Sequence, residues 1–91
     1  MPSAVRQNTA LSRFELDAFG DTAVANYRLA GGVMTFTHTE TPARLRGRGI
    51  ASRLVEGALD EARAQGLKVR AGCDFVRFFL ARHPEYDDLV A

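Results

Sequence analysis

The 91-residue chain holds one cysteine, Cys73, and no tryptophan. A lone thiol closes no disulfide within the chain and builds no multi-cysteine zinc site, so neither staple is expected, and no metal centre. Nor does one sign of charge dominate: 12 Lys and Arg against 11 Asp and Glu leave a net charge of +1. Surfaces that grip nucleic acid through its phosphates are clearly basic. A nucleic-acid module built on Arg44, Arg46, Arg48 and Arg53 is disfavoured on that ground, and no aromatic residues interleave with those arginines. No apolar run approaches the roughly 20 residues of a membrane-spanning helix. The first residues also lack the apolar core of a secretory leader, so a cytoplasmic protein with no membrane association is the expectation.

What is present suits one small folded domain. The composition is 46% hydrophobic, too apolar for a chain that stays disordered. A chain this short buries only about 60–65% of its unfolded surface, so its core must be thin. Residues 1–12 are polar and without period and read as a mobile lead-in; residues 13–91 read as the domain.

Arg13–Ala18 alternates polar and apolar residues, the period of a half-buried strand. After the turn residues Phe19-Gly20-Asp21 the alternation resumes over residues 22–30, with Ala23, Ala25, Tyr27 and Leu29 sharing a face. Gly31-Gly32 supplies a two-residue hairpin turn, and Val33–Glu40 is rich in β-branched and aromatic residues. From Ile50 an apolar stripe through Leu54, Val55, Ala58, Leu59 and Ala62 predicts an amphipathic helix, stopped by Gly66. Residues 67–71 form a fourth strand. Asp74 can cap a second helix that carries Phe75, Phe78 and Phe79 on one face, read as core, and that ends before Pro84. The order β-β-β-α-β-α includes a strand–helix–strand crossover, so the sheet is mixed and the fold α+β.

Chemistry concentrates where the first helix begins, in Arg46-Gly47-Arg48-Gly49-Ile50-Ala51. A first helical turn leaves backbone N–H groups unpaired and carries a partial positive charge, and glycines let a ligand come close. Such a loop suits a pyrophosphate, with Arg44, Arg46 and Arg48 at hand for further contacts. The alternative is a plain turn with solvated arginines. The glycine spacing is neither that of a dinucleotide fold nor that of a nucleotide-triphosphate loop.

Arg46-x-x-Gly49-x-Ala51 resembles the Q/R-x-x-G-x-G/A signature of the GCN5-related N-acetyltransferase (GNAT) superfamily. The likeness extends to the strand end Thr37-His38-Thr39-Glu40, the helix over residues 51–64, residues 66–69, and Cys73 followed by His83-Pro84-Glu85-Tyr86. It spans residues 13–90 and is nearest a compact branch that includes the YjdJ-like proteins and the animal N-acetyltransferase domain-containing protein 1. The resemblance implies a stripped-down core that binds acetyl-coenzyme A through the backbone of Gly47, Gly49, Ile50 and Ala51. It also implies a strand-borne backbone donor for the thioester carbonyl, near Thr37 to Glu40, with Thr39 among the cofactor-binding residues.

On that resemblance, acetyl transfer to an amine gives Glu40 or His38 the work of general base. Each has a structural alternative: a solvated strand-end carboxylate for Glu40, and a hydrogen-bonded, core-facing imidazole for His38, which follows Met34 and Phe36 in the alternation. The superfamily often uses a tyrosine on the last helix to protonate the departing thiolate. Here Phe78-Phe79 stands in its place, and Tyr86 is expected to pack its ring instead. Cys73 is the substitute, as proton donor or as nucleophile, against the alternative of a small buried apolar residue. A module that binds acyl-coenzyme A without turnover remains a rival reading. The acceptor amine and the oligomeric state are not legible.

Overall fold

A computed structural model describes residues 4–91. Five strands form one sheet in spatial order β1 (Arg6–Asn8), β2 (Arg13–Ala18), β3 (Asp21–Ala30), β4 (Val33–Glu40) and β5 (Lys68–Ala71). The first four pair antiparallel and β4 pairs parallel with β5. Helix α1 (Ile50–Ala64) makes the crossover between β4 and β5, and α2 (Asp74–Arg82) follows β5. Short 3-10 helices at Ala43–Leu45 and Pro84–Leu89 complete the chain. The mixed α+β sheet is the one expected, with one strand more. Among the described residues no helix is long and apolar enough to cross a membrane.

The extra strand lies in the expected lead-in, whose residues 1–3 fall outside the described residues. Arg6-Gln7-Asn8 has no apolar alternation because its side chains anchor it instead. Gln7 donates to the Tyr27 hydroxyl at 2.8 Å, Asn8 donates to Glu15 at 3.1 Å, and Arg6 pairs with Glu15 and Asp17.

One apolar layer holds the fold. α1 sets Leu54, Val55, Ala58 and Leu59, all fully buried, against Phe14 and Leu16 of β2, Ala23, Ala25 and Tyr27 of β3, and Met34 and Phe36 of β4. Leu29, expected on that face, is exposed beside the Gly31-Gly32 turn. In α2 the buried stripe is Val76 and Phe79, one turn apart; Phe78 points to solvent and Phe75 is only partly buried. Tyr86 packs in the core as expected, and its hydroxyl donates to Asp60 at 2.9 Å.

Glu15 is the buried charged residue among the described residues, with both oxygens engaged: Oε2 takes Arg13 Nε at 2.6 Å and Oε1 takes Arg6 at 2.8 Å. The Arg13 bond, aided by Asn8 and Arg6, outweighs desolvation and holds its carboxyl below the ordinary 4.5. Asp17, bonded by Arg6 and Thr22, and Asp88, bonded by Arg63, are lowered as well. A depressed folded-state pKa stabilises the fold above the unfolded value and loses that contribution as pH falls through the folded one. The melting midpoint is therefore expected to hold from pH 7 to about 5 and to fall below about 4.5, with a shallower acid slope in Glu15→Gln. A midpoint unchanged down to pH 3 would show that these pairs contribute nothing.

A slip between β3 and β4 decides the orientation of the site. Asn26 lies opposite His38 but Tyr27 lies opposite Phe36, so Thr37 is an extra residue, a β-bulge. The bulge reverses the alternation beyond it. His38 therefore leaves the core face on which Met34 and Phe36 lie, and its side chain is 60% exposed. Thr39, opposite Ala25, takes the core side instead.

Candidate active site

The β4–β5 ladder runs from Val33↔Lys68 to Phe36↔Ala71 and closes with Gly72 N–H donating to the Phe36 carbonyl at 2.8 Å. Beyond that bond β4 continues to Glu40 paired with β3 alone. The two strands part in a wedge, and the wedge opens into a cavity of about 730 Å³. Gly72 marks its apex because the backbones come too close there for a side chain: a Cβ would stand 2.8 Å from the Phe36 oxygen and 3.2 Å from Thr35 Cγ2. Gly72→Ala is expected to cost about 1–3 kcal/mol by forcing the strands apart. The midpoint in a thermal melt should drop by several degrees or more, and an unchanged midpoint would mean that the apex relaxes freely.

The cavity's mouth is the loop before α1. Gly47 and Gly49 hold φ of +78° and +74°, and Gly49 caps α1 in the left-handed conformation. The first intrahelical bond runs from Arg53 N–H to the Gly49 carbonyl, so the N–H groups of Ile50, Ala51 and Ser52 have no helical partner. No side chain caps them and the first turn carries no acidic residue, so nothing in α1 neutralises its positive end. A Cβ on Gly47 or Gly49 would meet nothing within 4 Å, which leaves open space in front of this backbone.

Most of the residues singled out in the sequence meet at this cavity: His38, Thr39 and Glu40 from β4, Arg46, Gly47 and Gly49 from the loop, and Ile50 and Ala51 from α1. Arg44 and Arg48 stand apart. Arg44 bonds Asp21 at 2.7 Å and the Phe19 carbonyl, and Arg48 lies 4.9 Å over the Phe19 ring, so both brace the β2–β3 turn. Arg46 remains at the rim, with Nε 3.3 Å from the Thr41 carbonyl. Sequence reasoning missed Phe75 as a wall, because an aromatic residue at helical spacing reads as core.

Two polar pairs bracket the wedge. Across it, Thr39 Oγ1 lies 3.4 Å from Cys73 Sγ, which sits at the N-cap of α2. On the outer side, His38 Nε2 lies 3.4 Å from Glu40 Oε2, and both side chains are well exposed. Both tyrosines are occupied elsewhere: Tyr27 accepts from Gln7, and Tyr86 donates to Asp60.

A family model described as GCN5-related N-acetyl-transferase matches residues 13–89. The chain belongs to that family. It is 34% identical over 70 residues to Protein NATD1 of Bos taurus, an alignment that covers 76% of this chain and 62% of that one. NATD1 of Homo sapiens gives the same identity and coverage, and NATD1 of Danio rerio is 34% identical over 74 residues. The chain thus matches about three fifths of the length of the mammalian relatives. A solution structure of a GCN5-like protein from Staphylococcus aureus, 24% identical, superposes with a TM-score of 0.75 over all of this chain and 91% of that one. The GNAT fold of the chain follows from that superposition.

Proposed function

We propose that this GNAT domain transfers an acetyl group from acetyl-coenzyme A to an amine. The observation that carries the reading is the conjunction of an unpaired stretch of β4 with the uncapped N-terminus of α1 on one cavity. A pyrophosphate fits the free N–H groups of Ile50, Ala51 and Ser52 and the flanking backbone of Gly47 and Gly49, with Arg46 adding charge. The pantetheine arm then lies along the unpaired β4 edge, where an extended amide chain can bond a free strand. This orientation leads the thioester towards Thr39 and Cys73 at the apex.

The chemistry follows from the two polar pairs. Glu40, held by His38, takes a proton from the incoming ammonium, and the freed amine attacks the thioester carbon. A C–N bond forms, the C–S bond breaks, and the nitrogen sheds its second proton to solvent. The departing thiolate takes the proton of the Cys73 thiol, which is replenished from solvent. Acetyl-coenzyme A and the amine thus become the amide and free coenzyme A. A backbone N–H of the unpaired β4 stretch is placed to polarise the thioester oxygen.

The rival, a module that binds acyl-coenzyme A without turnover, draws on one observation: no tyrosine hydroxyl among the described residues reaches the cavity. The two readings part on a single experiment, thiol release from acetyl-coenzyme A in the presence of candidate amines. Amine-dependent release supports transfer. A melting shift with acetyl-coenzyme A but no release with any amine supports the binding module, and no shift at all sinks both.

A further inference from the structure

A second cavity, of about 370 Å³, lies on the outer face of the sheet and shares one wall with the first: Glu40 lines both. The register shows why. Arg6 pairs with Glu15, Glu15 with Val24 and Val24 with Glu40, so these four side chains form one row across β1 to β4. The neighbouring row runs Asn8, Arg13, Asn26 and His38. The bulge at Thr37 is what brings His38 onto this face beside Glu40.

The floor of this cavity is polar and its charges are arranged in order. Glu15 is neutralised by Arg6 and Arg13, and Arg6 spends its remaining amino group on Asp17. Arg13 gives only Nε to Glu15, so among the described residues its two terminal amino groups have no partner. Glu40 at the opposite wall has only the exposed His38. The cavity therefore offers free guanidinium N–H donors at one end and a carboxylate at the other. Their Cα atoms are about 12 Å apart by strand spacing and rise, and two long side chains reduce that gap to the span of a small molecule.

We infer that this outer cavity is the acceptor site and that it takes a small amine bearing a carboxylate, of the amino-acid class. The carboxylate pairs with the terminal amino groups of Arg13, and the ammonium lies at Glu40, which is the base that deprotonates it. The inference rests on the acetyl-transfer reading above and adds its substrate. A polyamine or a lysine-rich peptide has no carboxylate to offer those amino groups. The volume admits a single amino acid, at the small end of ligand cavities.

The test compares thiol release from acetyl-coenzyme A with each of the twenty protein amino acids, with the carboxamide of each responder, and with spermidine. A charge-assisted arginine–carboxylate bond predicts kcat/KM at least about tenfold higher for the acid than for its carboxamide. Thr22→Glu, which sets a negative charge at the rim, should raise KM for the acid about tenfold, spare the carboxamide and leave the acetyl-coenzyme A melting shift intact. Arg13→Gln should erase the acid's advantage. Since it strips Glu15 of a partner and Thr22→Glu gives up the bond to Asp17, each variant is read only where it keeps a cooperative melt and the acetyl-coenzyme A shift. The comparison of acid with carboxamide in the wild-type chain needs neither. Equal use of acid and carboxamide, preference for spermidine, or no turnover of any amino acid by a chain that binds acetyl-coenzyme A overturns the inference and leaves the cofactor reading standing. Absence of an acetyl-coenzyme A shift in the wild-type chain overturns both.

Discussion

Gly49→Glu is expected to abolish the rise in melting temperature that acetyl-coenzyme A gives the wild-type chain. A ligand at about 100 times its dissociation constant stabilises the folded state by about 2.7 kcal/mol. A domain of this size gains about 4–8 °C per kcal/mol, so the wild-type shift should be on the order of 10–20 °C. Glutamate at position 49 stands in front of the free N–H groups of Ile50, Ala51 and Ser52 and offers them a carboxylate where the proposal places a pyrophosphate. It therefore competes for the same donors and repels the ligand's phosphates.

The fold should survive the change. A Cβ at Gly49 meets no atom within 4 Å, and the cost is the strain of a side chain at φ +74°, about 1–2 kcal/mol. The acidic group at the start of α1 returns part of that. Gly49→Ala separates the effects: it carries the same backbone strain without the charge, and should keep much of the shift. A Gly49→Glu chain that melts like the wild type and still shifts by 10 °C would place the cofactor away from this loop.

The part of this site that local pattern reveals is the loop, and the reason is physical. A glycine pair leading into an apolar stripe at helical spacing needs no information from elsewhere in the chain. The same holds for Arg13–Ala18, read from its alternation, and Val33–Glu40, read from its β-branched and aromatic residues, whose bounds match the strands observed. What escaped depends on contacts between distant residues. β1 has no period of its own because Tyr27 and Glu15, from other strands, hold its side chains. The bulge at Thr37 leaves no mark in the sequence, yet it turns His38 out and Thr39 in, inverting what alternation implies. Arg44 and Arg48 sit beside the loop in sequence but are claimed by Asp21 and Phe19 across the fold. Phe78 belongs by spacing to an apolar stripe, but α2 is covered by the β4–β5 edge, α1 and the turn Pro84–Leu89 on its other faces, and the side that carries Phe78 stays exposed.

Cys73→Ala is expected to lower kcat by about 100-fold or more while leaving the acetyl-coenzyme A melting shift nearly unchanged. Cys73 Sγ is half-buried and 3.4 Å from Thr39 Oγ1, whereas the Glu40 side chain is exposed beside His38. In the proposed mechanism a thioester along β4 has Glu40 as its base and Cys73 as its acid. Cys73→Ser distinguishes the two roles open to the thiol. A proton donor is partly replaced by a hydroxyl at the same place, so Cys73→Ser should recover a measurable share of kcat. A nucleophile is not, and the wild-type chain should then release one equivalent of coenzyme A without any amine and gain an acetyl group by mass. Recovery in Cys73→Ser with no acetylated protein fits the ternary mechanism proposed here. The acetylated intermediate would replace that mechanism with a two-step one through Cys73. If Cys73→Ala turns over like the wild type, the contact with Thr39 is only packing across the wedge, and the thiolate takes its proton from water at the open mouth.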